Sequence, residues 1–145
     1  MQLQLFFEQE NSEIESELGN LVDMTARAVE QAFCASLEQE CYNVIVASED
    51  LIRQLNRDYR QQDSVTDVLS FPLGPGDEVT GEIYICWSRI ISQSEEYCHS
   101  WQREFCFLLV HGILHLLGYE HGDLPNPEMR AMEEKILAIQ KLGRA

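Results

Sequence analysis

The sequence predicts an α+β domain, a single mixed four-stranded sheet packed with helices. Three observations lead there. The chain has 145 residues, 45% hydrophobic and 24% charged, the balance of an ordinary globular chain and the length of one domain, 1–145. Some stretches repeat their apolar residues with period two and others at intervals of three and four. In chain order these stretches read β-α-β-α-β-β-α-α-α, with helices between the early strands and three gathered at the C-terminal end.

Leu3 to Glu8, rich in Leu and Phe, reads as a short strand entering the sheet. From about Glu13 to Leu37, Ile14, Leu18, Leu21, Val22, Ala28, Val29, Ala32 and Phe33 recur at helical intervals, the pattern of a long amphipathic helix. Tyr42 to Ala47 is a β-branched run that stops at Ser48, an N-cap followed by the first-turn acids Glu49 and Asp50, so a strand feeds a helix running through Tyr59. After a polar loop, Arg60 to Asp63, the segment Thr66 to Phe71 reads as a strand ending at Pro72, which cannot donate to a ladder. The following LGPGDE is a turn, and Gly81 to Trp87 alternates as a fourth strand. Ser88 to Cys98 and Ser100 to Leu117 read as helices, the second capped by Ser100 and closed by Gly118, and a last helix spans about Pro127 to Leu142.

The longest apolar stretch, Phe105 to Gly118, is broken by His111 and His115 and falls short of the roughly 20 residues of a membrane span. No membrane association is expected, and the opening MQLQLFFEQE has no secretory pattern, which makes the cytoplasm the default location. Five cysteines, an odd number without a CxxC pair, read as reduced and mostly buried thiols. No glycine-rich phosphate loop is present, so no nucleotide cofactor is expected.

Ten Lys and Arg against 25 Asp and Glu leave a net charge of −15, which repels polyanions at long range. Against that average, Arg53, Arg57 and Arg60 fall at i, i+4 and i+7, a local cationic stripe on one side of a helix.

Three of the four histidines lie in HGILHLLGYEH, at His111, His115 and His121. Residues four apart on a helix point the same way, so His111 and His115 can close on one ion. Gly118 lets the chain leave the helix and bring His121 round as a third nitrogen. Three histidines with an open fourth position describe a catalytic zinc site, a zincin-like metal-site helix with one Zn2+ per chain. The spacing matches the HExxHxxGxxH of zinc metalloproteases, except that Gly112 stands where those enzymes carry their general base.

HGILHLLGYEH, LNRDYRQQDSVTDVLSFP from Leu55 to Pro72, and GEIYIC from Gly81 to Cys86 together resemble, in this order, the YbeY family, bacterial endoribonucleases of ribosomal RNA maturation. The resemblance implies that His111, His115 and His121 hold zinc and that Arg60, the arginine of the family's N-x-x-Y-R segment, is catalytic. It further implies a metal-dependent endoribonuclease acting on single-stranded ribosomal RNA, trimming the 3′ end of the small-subunit RNA and serving ribosome quality control. On that reading Arg60 would clamp the scissile phosphate while Arg57 and Arg53 bind neighbouring phosphates. Weak intrinsic RNA affinity, expected from the acidic balance, points to a ribosomal protein or assembly factor as a guide. The family's GYDH is GYEH here, with Glu120. Asp67, Glu120 and Glu128 stand as unassigned candidates for a general base. Two competing readings are a non-catalytic, zinc-stabilised ribosome-assembly factor and a metal-dependent hydrolase of another substrate.

Overall fold

A computed structural model describes residues 1–9, 12–74, 78–119 and 126–141. The chain runs β1 (Gln2–Phe7), α1 (Ser12–Phe33), β2 (Cys41–Ala47), α2 (Glu49–Arg60), β3 (Val68–Pro72), β4 (Gly81–Cys86), α3 (Trp87–Glu96), α4 (Trp101–Leu116) and α5 (Pro127–Ile139). The sheet order is β1-β2-β4-β3. β1 pairs parallel with β2 and β2 parallel with β4, while β3 returns antiparallel on the outer side of β4, Val68 opposite Ile85 and Pro72 opposite Gly81. The expected α+β class and mixed four-stranded sheet are therefore present, and Pro72 sits at an edge, where its missing N–H is tolerated.

Period-two alternation assigns the two faces of the sheet. Tyr42, Val44 and Val46 of β2 and Ile83 and Ile85 of β4 turn to the main core, where α1 and α4 cover the sheet and α5 lies against both helices. Ala47, Leu69 and Cys86 turn the other way and form a smaller core with Ile52 of α2.

Two helix ends differ from the sequence expectation for one shared reason. α1 stops at Phe33 because Cys34 adopts a left-handed φ of 53°, and the amides of Cys34 and Ala35 bond back to Gln31 and Glu30, closing the helix as a glycine would. Cys98 at φ 56° does the same after α3. Trp87, expected to finish β4, instead opens α3, and α5 ends at Ile139, while Leu142 lies outside the described residues. The thiols are not mostly buried: Cys86 and Cys106 are, but Cys34 and Cys98 are exposed and Cys41 is half-buried, because helix-closing positions lie on the surface. Burial pushes the Cys106 thiol up to about 11. Among the described residues no helix is long and apolar enough to cross a membrane.

Ile83, fully buried in β4, is a direct probe of this core. Ile83→Ala is expected to lower stability by roughly 2–5 kcal/mol, read as a lower urea midpoint at unchanged m-value.

Candidate active site

α4 carries the two described histidines of the motif. Its start is set by the Ser100 hydroxyl, which accepts from the Arg103 amide at 3.1 Å. Its end is a Schellman closure in which Gly118, at φ +104°, donates to the His115 carbonyl and Tyr119 donates to that of Leu114. One helical turn apart, His111 and His115 bring their Nε2 atoms within 3.1 Å, their rings edge to face.

The Nδ1 of His111 lies 2.8 Å from Oε1 of Glu133 on α5, whose carboxylate is nearly buried, 6% exposed. A carboxylate in this place can accept an Nδ1–H, and the tautomer it favours is the one in which Nε2 can ligate a metal. Two imidazoles on one tetrahedral zinc at ~2.0–2.1 Å would have nitrogens roughly 3.3 Å apart, and the 3.1 Å between the two Nε2 atoms fits such an ion. Among the described residues no group of three ligating side chains is assembled, and the third candidate, His121, lies outside them, as does Glu120.

Gly112 lies on the face of α4 that meets the sheet. A Cβ there would stand 2.8 Å from Cγ2 of Ile83 and 3.0 Å from Oγ of Ser70, and the Ser70 hydroxyl donates to the Gly112 carbonyl at 3.1 Å. The position that holds glutamate in HExxH is filled by the sheet itself, so the general base of a metalloprotease has no room.

Beside the histidines lies a groove of about 450 Å³ lined by His111, His115 and Leu116 of α4, by Val68, Ser70 and Pro72 of β3, by Thr66 and Asp67 of the preceding loop, and by Arg60. Asp67 accepts from the Gln93 side chain at 3.2 Å. Two turns before His111, Glu104 is buried and bonded to Nε2 of His99 at 2.6 Å. Burial pushes its carboxyl up against the opposing pull of His99.

The three arginines separate. Arg60, the last residue of α2, reaches the groove and makes no ion pair among the described residues. Arg53 is held by Asp63 at 2.7 Å, and Arg57 lies 4.0 Å from the same carboxylate. The Arg53 guanidinium keeps the Asp63 carboxyl below its usual range. Of the other candidate bases, Glu128 belongs to the first turn of α5, and the groove does not include it. Trp87 and Trp101 pack edge to face, centroids 5.5 Å apart, against the main core. Glu133 was not singled out from the sequence, although its place on the α5 face shared by Met129, Ile136 and Leu137 marks it as a charged residue on a buried stripe.

The chain is similar to known proteins of one family. The family model described as Endoribonuclease YbeY matches residues 4–141. A relative named Endoribonuclease YbeY from Finegoldia magna is 39% identical, with the match covering 99% of this chain and 95% of that protein. Another of that name from Ureaplasma urealyticum is 43% identical over 68% of this chain and 64% of its own length. The solution structure of TM1509 from Thermotoga maritima superposes with a TM-score of 0.64 at 32% identity, covering 96% of this chain and 91% of that one.

Gly112→Ala tests the close approach of α4 to the sheet. It is expected to cost about 1–3 kcal/mol through overpacking against Ile83, measured by denaturation, whereas Gly19→Ala, where nothing lies within 4 Å of a Cβ, is expected to stabilise or leave the midpoint unmoved.

Proposed function

The chain belongs to the endoribonuclease YbeY family and is a phosphodiester hydrolase of that class, and we propose that it is a zinc-dependent endoribonuclease for single-stranded ribosomal RNA. The observation that carries this reading is the convergence of the His111–His115 pair and Arg60 on one groove. The intended substrate is the 3′ end of small-subunit ribosomal RNA, with a role in ribosome quality control, in the cytoplasm, guided by a ribosomal protein or assembly factor.

His111, His115 and His121 would hold one zinc ion. Bound there, zinc would supply positive charge to the phosphoryl oxygens and acidify a water molecule. Glu133 holds the His111 ring in place and keeps its Nδ1 protonated. Arg60 binds two oxygens of the scissile phosphate through its planar fork and stabilises charge that grows there as the bond breaks. Asp67, oriented by Gln93, is the carboxylate among the described residues that line the groove and can take up the proton of the attacking oxygen. Arg57 and Arg53 sit on solvent-exposed ion pairs, which are weak, and can exchange Asp63 for phosphates farther along the strand.

The test is cleavage of single-stranded ribosomal RNA by metal-quantified protein, with His115→Ala and Arg60→Ala purified in parallel. About one zinc per chain is expected, with His115→Ala losing metal and cutting together. Arg60→Ala is expected to keep its metal and lose cutting about 100-fold or more. Equal cutting by all three proteins would mean a contaminating nuclease, and support of ribosome maturation by His115→Ala would favour the non-catalytic assembly factor. Separately, Glu133→Gln is expected to weaken zinc binding roughly 10- to 100-fold in a chelator competition while the fold persists.

A further inference from the structure

Tyr59, the residue before Arg60, is 67% exposed, more than any other large hydrophobic residue among those described. Its ring is nevertheless fixed. The centroid lies 5.4 Å from that of Phe71 on β3, and Phe71 lies 5.8 Å from Tyr84 on β4. Phe71 and Tyr84 pack against the smaller core beneath α2, so Tyr59 is the outermost ring of an anchored ladder.

β3 is one of the two edge strands of the sheet. Its alternate residues Ser70 and Pro72 line the histidine groove, while Phe71 between them turns to the opposite face. The groove and the aromatic ladder are thus two sides of one edge strand. Arg60 enters the groove from the helix that displays Tyr59.

We propose that Tyr59, backed by Phe71, is a stacking subsite for an RNA base adjoining the phosphate held by Arg60. The assignment rests on the proposed endoribonuclease function and names where a neighbouring nucleotide of the same substrate goes. Continuity with the groove selects RNA as the occupant. Tyr59 and Arg60 are consecutive at the end of α2, so a strand leaving Arg60 over the edge of β3 passes the helix end that carries the ring, and a ring stacks on any base because every base has a π face. Bases inside a duplex are already stacked, so the subsite would favour single strands.

The test measures cleavage kinetics of a single-stranded ribosomal RNA oligonucleotide by wild type, Tyr59→Ala, Tyr59→Phe and Tyr59→Trp, with Arg60→Ala alongside, at low and high salt. Tyr59→Ala is expected to raise KM about 5- to 100-fold, with Tyr59→Phe and Tyr59→Trp within about twofold of wild type. The loss in Tyr59→Ala is expected to be equal at both salt concentrations, whereas the contribution of Arg60 shrinks as salt rises. Tyr59→Trp is expected to show quenched tryptophan fluorescence on adding RNA. A wild-type KM in Tyr59→Ala overturns the proposal, as does a loss in Tyr59→Phe equal to that in Tyr59→Ala, which would place the effect in the hydroxyl. Failure of the wild type itself to cut RNA overturns the endoribonuclease reading, and the subsite with it. Because the ring is exposed, an unchanged melting temperature in the variants keeps the kinetic comparison valid.

Discussion

The contact on which the site depends is the approach of α4 to the sheet at Gly112. Without a Cβ at this position the helix backbone settles against Ile83 and Ser70, close enough for the Ser70 hydroxyl to reach the Gly112 carbonyl at 3.1 Å. That contact fixes the rotation of the helix about its own axis. At about 100° per residue, His111 and His115 then fall on the same side of Gly112, roughly 100° and 60° away. They are directed toward the β3 edge of the sheet, where β3 and Arg60 complete the groove. A side chain at Gly112 would push the helix outward and move both imidazoles together.

A second layer of support comes from carboxylates buried against imidazoles. Glu133 reaches from α5 to His111, and Glu104, on the α4 stripe that continues to His111 and His115, is bonded to His99. A carboxylate this deeply buried is costly unless it is bonded, and in both places the bond also orients a ring. At His111 the orientation brings Nε2 to 3.1 Å from that of His115. At His99 the ring serves the junction between α3 and α4 and lies outside the groove, so one chemical device has a site-building role in one place and a packing role in the other.

Regular elements were legible in the sequence because burial imposes a period that residues display directly. Helix ends were less so. Gly118 announced the end of α4, but Cys34, Gln61, Cys98 and Lys141 adopt the left-handed conformation without being glycine, and nothing in their identity reveals it. In the site, His111, His115 and Arg60 were readable from spacing and from family resemblance. Gly112 read as a lost base, and only the packed structure shows it as a contact. Arg53, Arg57 and Arg60 share one helical spacing. What separates them is Asp63 in the loop after α2, which gathers the first two and leaves the third to the groove. Glu133 resembles any helix-surface acid until α5 is laid against α4.

An excess of 15 negative charges is hard to reconcile with an RNA substrate only if the field is treated as uniform. At physiological ionic strength charges beyond about 8 Å are largely screened, so a bound phosphate is governed by its immediate neighbours. In the groove these include Arg60 and the two imidazoles, with Asp67 tied to Gln93. The long-range repulsion acts instead on encounter, slowing the approach of any polyanion. A chain built this way cannot gain affinity by adding phosphate contacts along an acidic surface. It has to gain it from contacts indifferent to charge, such as an exposed ring at the lip of the groove, or from a basic partner that delivers the RNA.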